Sequence, residues 1–113
     1  MKHFGNIILV MLFVAVLTAL FGRYRPFIVM SDSMYPTLKK NMIIIGERVT
    51  NKESIQKGDI CVYVPKDGFF TITHRIVEEH SDGYIFKGDN NESADENHVS
   101  LGQIRYKIIR TYP

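Results

Sequence analysis

One long apolar run, followed by short apolar stretches separated by polar turns, sets the pattern of this chain. From Phe4 to Phe21 no charge occurs, and only Gly5, Asn6 and Thr18 interrupt the apolar series. Coiled as a helix, this run would be about 27 Å long, close to the roughly 30 Å hydrocarbon core of a bilayer. A retained anchor and a cleaved signal peptide with Lys2 as its basic end both fit that length. The run ends Ala19-Leu20-Phe21-Gly22-Arg23, with bulky residues where a cleavage site wants small ones, so an anchor that stays is expected. Lys2 lies on one side of it and Arg23 and Arg25 on the other, so charge does not choose an orientation.

Past the run the pattern changes to that of strands. Phe27–Met30 and Met42–Ile45 are short apolar segments on either side of a polar, proline-containing stretch. Arg48–Lys57 is polar and reads as a loop. Ile60–Val64 is β-branched and aromatic, and Pro65-Lys66-Asp67-Gly68 is a turn. Phe69–Glu78 alternates, with Phe70, Ile72, His74, Ile76 and Glu78 on one face and Thr71, Thr73, Arg75 and Val77 on the other. Ser81-Asp82-Gly83 turns the chain into Tyr84–Phe86. Lys87–His98 is a polar loop, and a last strand runs from about Gln103 to Thr111. Short strands and turn residues in this density predict a mainly β domain, a small barrel-like or sandwich unit, over residues 26–113. Residues 1–25 form the anchor.

Composition narrows the function. The formal net charge is +2 with both signs interspersed, so no basic block offers a nucleic-acid surface. The single cysteine, Cys61, excludes an internal disulfide and reads as a buried thiol inside a strand. His74, His80 and His98 match no spacing used for metal ligation, so neither metal nor cofactor is expected.

Ser33 sits at the end of a strand-like segment, in Ser31-Asp32-Ser33-Met34-Tyr35-Pro36-Thr37-Leu38. Pro36 fixes its own φ and biases Tyr35 away from helix, which presents the hydroxyls in a fixed direction. His74 shares a face with apolar residues, where a core histidine and a general base look alike; histidine ordinarily titrates near neutrality. Asp95, in a polar loop, reads alone as a solvated charge or a cap. Together the three supply a nucleophile, a base and a group to orient the base, the set acyl transfer requires.

Four stretches resemble, in order, the boxes of type I signal peptidases: Ser31–Leu38, Gly58–Tyr63, Thr73–Val77, and Lys87–Asn91 followed by Ser93-Ala94-Asp95. The third box separates two branches. Most bacterial members carry a lysine before the arginine; this chain has His74, which is similar to the endoplasmic-reticulum and archaeal branch. The resemblance implies a serine peptidase with Ser33 as nucleophile, His74 as general base and Asp95 as orienting acid. Asp89 is the rival for that last role, and is otherwise expected to hold the loop against Arg75. Ser31 matches the position whose hydroxyl joins the Ser33 N–H in an oxyanion hole, although a turn-capping serine fits as well. Asp32 stands where many members have glycine and receives no role. The implied substrates are signal peptides of translocated preproteins, bound as an extended strand by a catalytic domain on the extracytoplasmic side of the bilayer. A specialised peptidase with few substrates and a non-catalytic accessory subunit are the alternatives; accessory partners are undetermined.

Overall fold

The computed structural model describes residues 3–113, so Lys2, the expected basic end of the apolar run, lies outside it. A helix, α1, spans Phe4–Arg23, and none of its 20 residues is buried by the rest of the chain. At 1.5 Å per residue it is roughly 30 Å long, enough to cross a bilayer. Thr18, in its C-terminal half, donates its hydroxyl to the Val14 carbonyl one turn back (2.8 Å), so that polar group is satisfied within the helix. No loop follows the helix: Arg23 leads directly into β1, and the Tyr24 N–H still bonds the Leu20 carbonyl. Arg23 also pairs with Glu47 at 3.1 Å, across the junction.

The mainly β expectation holds. Strands β1 (Tyr24–Ile28), β2 (Ile43–Arg48), β3 (Ile60–Tyr63), β4 (Ile72–His80), β5 (Gly83–Lys87) and β6 (Ile104–Tyr112) form one antiparallel sheet in the order β1-β2-β6-β3-β4-β5. The sheet coils, bringing the end of β1 and the start of β4 to opposite walls of one cleft. Two apolar clusters hold it. Ile55, Cys61, Tyr63, Ile76, Phe86, Val99 and Ile104 pack behind β3, β4 and β5. Met34, Leu38 and Ile44 pack beneath the β1–β2 connection. Cys61 is fully buried, and burial pushes its thiol up to about 12, so it is an inert core residue as expected.

Strand limits differ from the expected ones in instructive places. β4 starts at Ile72 because its partner β3 ends at Tyr63, before Pro65; Phe69 and Phe70 stay outside the ladder and exposed. Its alternation holds from Ile72 through Ile76 and then breaks. Ile76 pairs with Phe86 and Glu78 with Ile85, which leaves Val77 as an extra residue. That bulge puts Glu78 on a different side from His74, contrary to the strict alternation expected. The polar stretch after β2 contains one 3₁₀ turn, Lys52–Ser54, capped by the Asn51 side chain.

Candidate active site

The segment carrying Ser31 and Ser33 connects β1 to β2. Its base is closed by the ladder: the Val29 N–H bonds the Met42 carbonyl and the Asn41 N–H bonds the Val29 carbonyl, both at 2.9 Å. Asn41 takes φ 73°, a left-handed turn that asparagine tolerates. Between these ends, Met34 and Leu38 are at most 2% exposed. Each such side chain contributes about 1.5–3 kcal/mol by leaving water. The serines therefore stand on a turn fixed to the core.

A second segment clamps this turn from outside. Past β5, the Asn90 N–H bonds the Ser33 carbonyl at 2.9 Å, and the Asn90 side chain bonds the Asp32 carbonyl at 3.1 Å. Gly88 allows the approach: a Cβ there would lie 2.6 Å from the Ser33 carbonyl oxygen. Asp89 accepts from Arg75 Nε at 2.9 Å and from its terminal nitrogen at 2.7 Å, a bidentate pair, and from the Thr37 hydroxyl at 2.7 Å. Arg75 in turn holds the Gly58 carbonyl at 2.8 Å. These bonds, the arginine's first, hold the Asp89 carboxyl below the usual carboxylate range despite its partial burial. Asp89 is thus joined to Arg75 on β4 and to the serine turn, and not to His74. The side chain of Asp32 turns to solvent, toward Lys40 at 3.7 Å.

His74, on β4, is 9% exposed. Its Nε2 lies 3.1 Å from Ser33 Oγ, and its Nδ1 lies 2.8 and 3.0 Å from the two oxygens of Asp95. Asp95 is seated by its own N–H, which bonds the Phe86 carbonyl at 2.8 Å, so a loop residue is fixed to the end of β5. Tyr63, from β3, donates its hydroxyl to Asp95 Oδ2 at 2.6 Å. Burial raises the Asp95 pKa, but the hydrogen bonds from His74 and Tyr63 outweigh it and hold the group below its ordinary value. Burial, and then the same carboxylate, push the Tyr63 phenol well up, so it stays a donor.

These bonds fix the order of protons. Asp95, ionised, can only accept, so His74 carries its hydrogen on Nδ1. In the neutral imidazole Nε2 is then bare and accepts the Ser33 hydroxyl. Ser31 Oγ, 3.1 Å from Ser33 Oγ, completes the series as a donor to it. Among the described residues the Ser33 N–H has no hydrogen-bond acceptor. Lys87 Nζ bonds the Gly88 carbonyl at 3.3 Å rather than Ser33. No group of histidine, cysteine or carboxylate side chains among the described residues could hold a metal ion.

Ser31, Ser33, His74, Asp95, Arg75 and Asp89 were all legible as candidates, and the fold brings the first four into one chain and the last two into a clamp beside it. Tyr63 was not. In the sequence it is one more aromatic in an apolar strand; the only signal is that a buried tyrosine hydroxyl needs a partner. Thr37 and Asn90, which tie the two segments together, lie within two of the recognised boxes but received no role of their own.

The chain opens a cleft of about 370 Å³ over Ser33 and His74, walled by Phe27, Met30 and Phe70 among others. Its residues 1–93 match the family described as signal peptidase, peptidase S26, so Ser33 and His74 lie inside the matched stretch and Asp95 just beyond it. Signal peptidase I W of Bacillus subtilis is 34% identical over an alignment of 124 positions that covers 93% of this chain and 64% of the relative. The signal peptidase complex catalytic subunit SEC11 of Fusarium vanettenii is 32% identical over 81 positions, covering 67% of this chain and 46% of the relative. The chain therefore spans less than two thirds of the length of either. With the apolar helix, the six-stranded sheet and a family match over most of its length, this chain belongs to the S26 signal peptidases, a family of serine peptidases.

Proposed function

We propose that this protein is a membrane-anchored serine endopeptidase that removes N-terminal signal peptides from translocated preproteins. The observation that carries the reading is the unbroken hydrogen-bonded series Tyr63–Asp95–His74–Ser33–Ser31, whose last three members line an apolar cleft. In this reading residues 1–25 are the anchor and 26–113 the catalytic unit, which faces the extracytoplasmic side because its substrates are chains already translocated.

Ser33 Oγ attacks the scissile carbonyl while His74 Nε2 takes its proton. Asp95 keeps the imidazole in the required tautomer and stabilises the imidazolium that forms. His74 then passes the proton to the leaving amine, and water releases the acyl group by the reverse sequence. The unengaged Ser33 N–H is the first oxyanion donor, and the Ser31 hydroxyl, already turned toward Ser33, the second. The Arg75–Asp89 clamp keeps the turn in place. Substrate adds as an extended strand. Two open edges favour this: the outer edge of β1, and β4 from Ile72 to His74, which β5 leaves unpaired until Arg75. By likeness to the family, small side chains before the cut enter the cleft.

The test is cleavage of a preprotein by the full chain in detergent. Ser33→Ala and His74→Ala are each expected to lower kcat by at least about 10³-fold. Parental rates in both would mean that chemistry lies elsewhere, or that the chain is an accessory subunit that only binds.

A further inference from the structure

We infer that the membrane-proximal end of the sheet carries a binding site for the phosphodiester headgroup of an anionic phospholipid, formed by Arg25, Arg48 and Arg105. The three arginines line one concave surface of about 590 Å³, which adjoins the cleft above Ser33 across Phe27 and Thr71, and no aspartate or glutamate lines it. All three are exposed, and among the described residues none has an acidic partner or a side-chain hydrogen bond. Arg23 and Arg75, by contrast, are each paired with a carboxylate. Unpaired arginines gathered in one hollow with no counter-charge favour an anion, and the guanidinium fork suits phosphate oxygens.

The register says which anion. Tyr24 is the first residue after α1 and pairs with Glu47, so Arg48 stands level with the last residue of the helix. Arg48 pairs with Tyr106, next to Arg105, and the Val49 N–H bonds the Arg105 carbonyl at 2.9 Å. Arg25 lies one residue beyond Tyr24 on the same junction. All three thus sit at the height where α1 leaves the hydrocarbon and headgroups begin. The polar rim is backed by Phe27 and Tyr106, whose rings meet edge to face at 5.4 Å and give the hollow a firm wall. The inference rests on α1 being a membrane anchor.

The experiment uses the full chain in neutral maltoside micelles. Retained lipid is counted by native mass spectrometry during titration with dioctanoyl-phosphatidylglycerol, dioctanoyl-phosphatidylcholine or inorganic phosphate. Phosphatidylglycerol is expected to bind selectively, the triple variant Arg25→Gln/Arg48→Gln/Arg105→Gln to lose roughly 100-fold in affinity, and single variants roughly fivefold each. Selectivity should also fall as salt is raised from about 0.05 to about 0.5 M. Equal retention of the two lipids, or unchanged binding by the triple variant, overturns the site. Inorganic phosphate competing at concentrations equal to the lipid's would assign the site to a free anion and overturn the headgroup reading. Alkaline extraction of membranes reports on the anchor alone: the triple variant should stay in the pellet like its parent, so loss of the anchor reading and loss of the site are told apart.

Discussion

In the proposed chemistry Tyr63 acts through Asp95, without touching substrate. Its hydroxyl takes one oxygen of Asp95 while His74 takes both, and these bonds hold the carboxyl below its ordinary range. Tyr63→Phe removes that donor and little else, since the ring still packs on Phe86 at 4.6 Å between centroids. The Asp95 pKa then rises, so the carboxylate is protonated at a higher pH and activity is lost earlier on the acid side. We expect kcat to fall roughly threefold to tenfold with KM unchanged, the size of one ordinary net hydrogen bond felt through Asp95. A pH–rate profile superimposable on the parent's would reduce Tyr63 to a packing residue. At this scale the sequence was informative about Ser33, His74 and Asp95 because each has a chemistry its neighbours lack. Tyr63 was hidden because apolar alternation in a strand is the same whether or not a phenol points at a carboxylate.

At the scale of elements, the candidate site is two connections tied to one strand. Arg75 on β4 bridges to Asp89 after β5, and Asp89 reaches Thr37 in the serine turn. The pair has a pH signature with a definite sign. The folded-state pKa of Asp89 is depressed, so its contribution to stability is fully present above the unfolded value of about 3.9 and is lost as pH falls through the folded value. Asp89→Asn should therefore melt below the parent at pH 7 and approach it at pH 3, followed by circular dichroism in detergent. Parallel melting curves across that range would show that the pair contributes nothing. The bidentate pairing could be anticipated from the composition of the two boxes. The β4 bulge could not, because a period-two pattern records which residues alternate and not where the partner strand slips. Nor could the start of β4 at Ile72, which is set by where β3 runs out.

On the scale of the whole molecule, the anchor and a mainly β unit were legible because an uncharged apolar run and a series of turn-bounded strands are composition-level signals. The single sheet and its order were not, since pairing between β6 and both β2 and β3 depends on contacts far apart in the chain. The seamless passage from α1 into β1 also went unseen, and it governs distance. Ser33 lies ten residues beyond the last helical residue, Arg23. Even a fully stretched chain of that length covers only about 36 Å. With Arg23 bound to Glu47 there is no slack to let the sheet swing away. Under the proposed function, Ser33 would work at a set height above the bilayer, and a cut would be selected by elevation as well as by side chains. A preprotein whose cleavage position is lifted past that height by a flexible Gly/Ser spacer should escape the parent enzyme. It should be cut again when a matching spacer is inserted between Arg23 and Tyr24; cleavage by the parent at every spacer length would mean that the junction measures nothing.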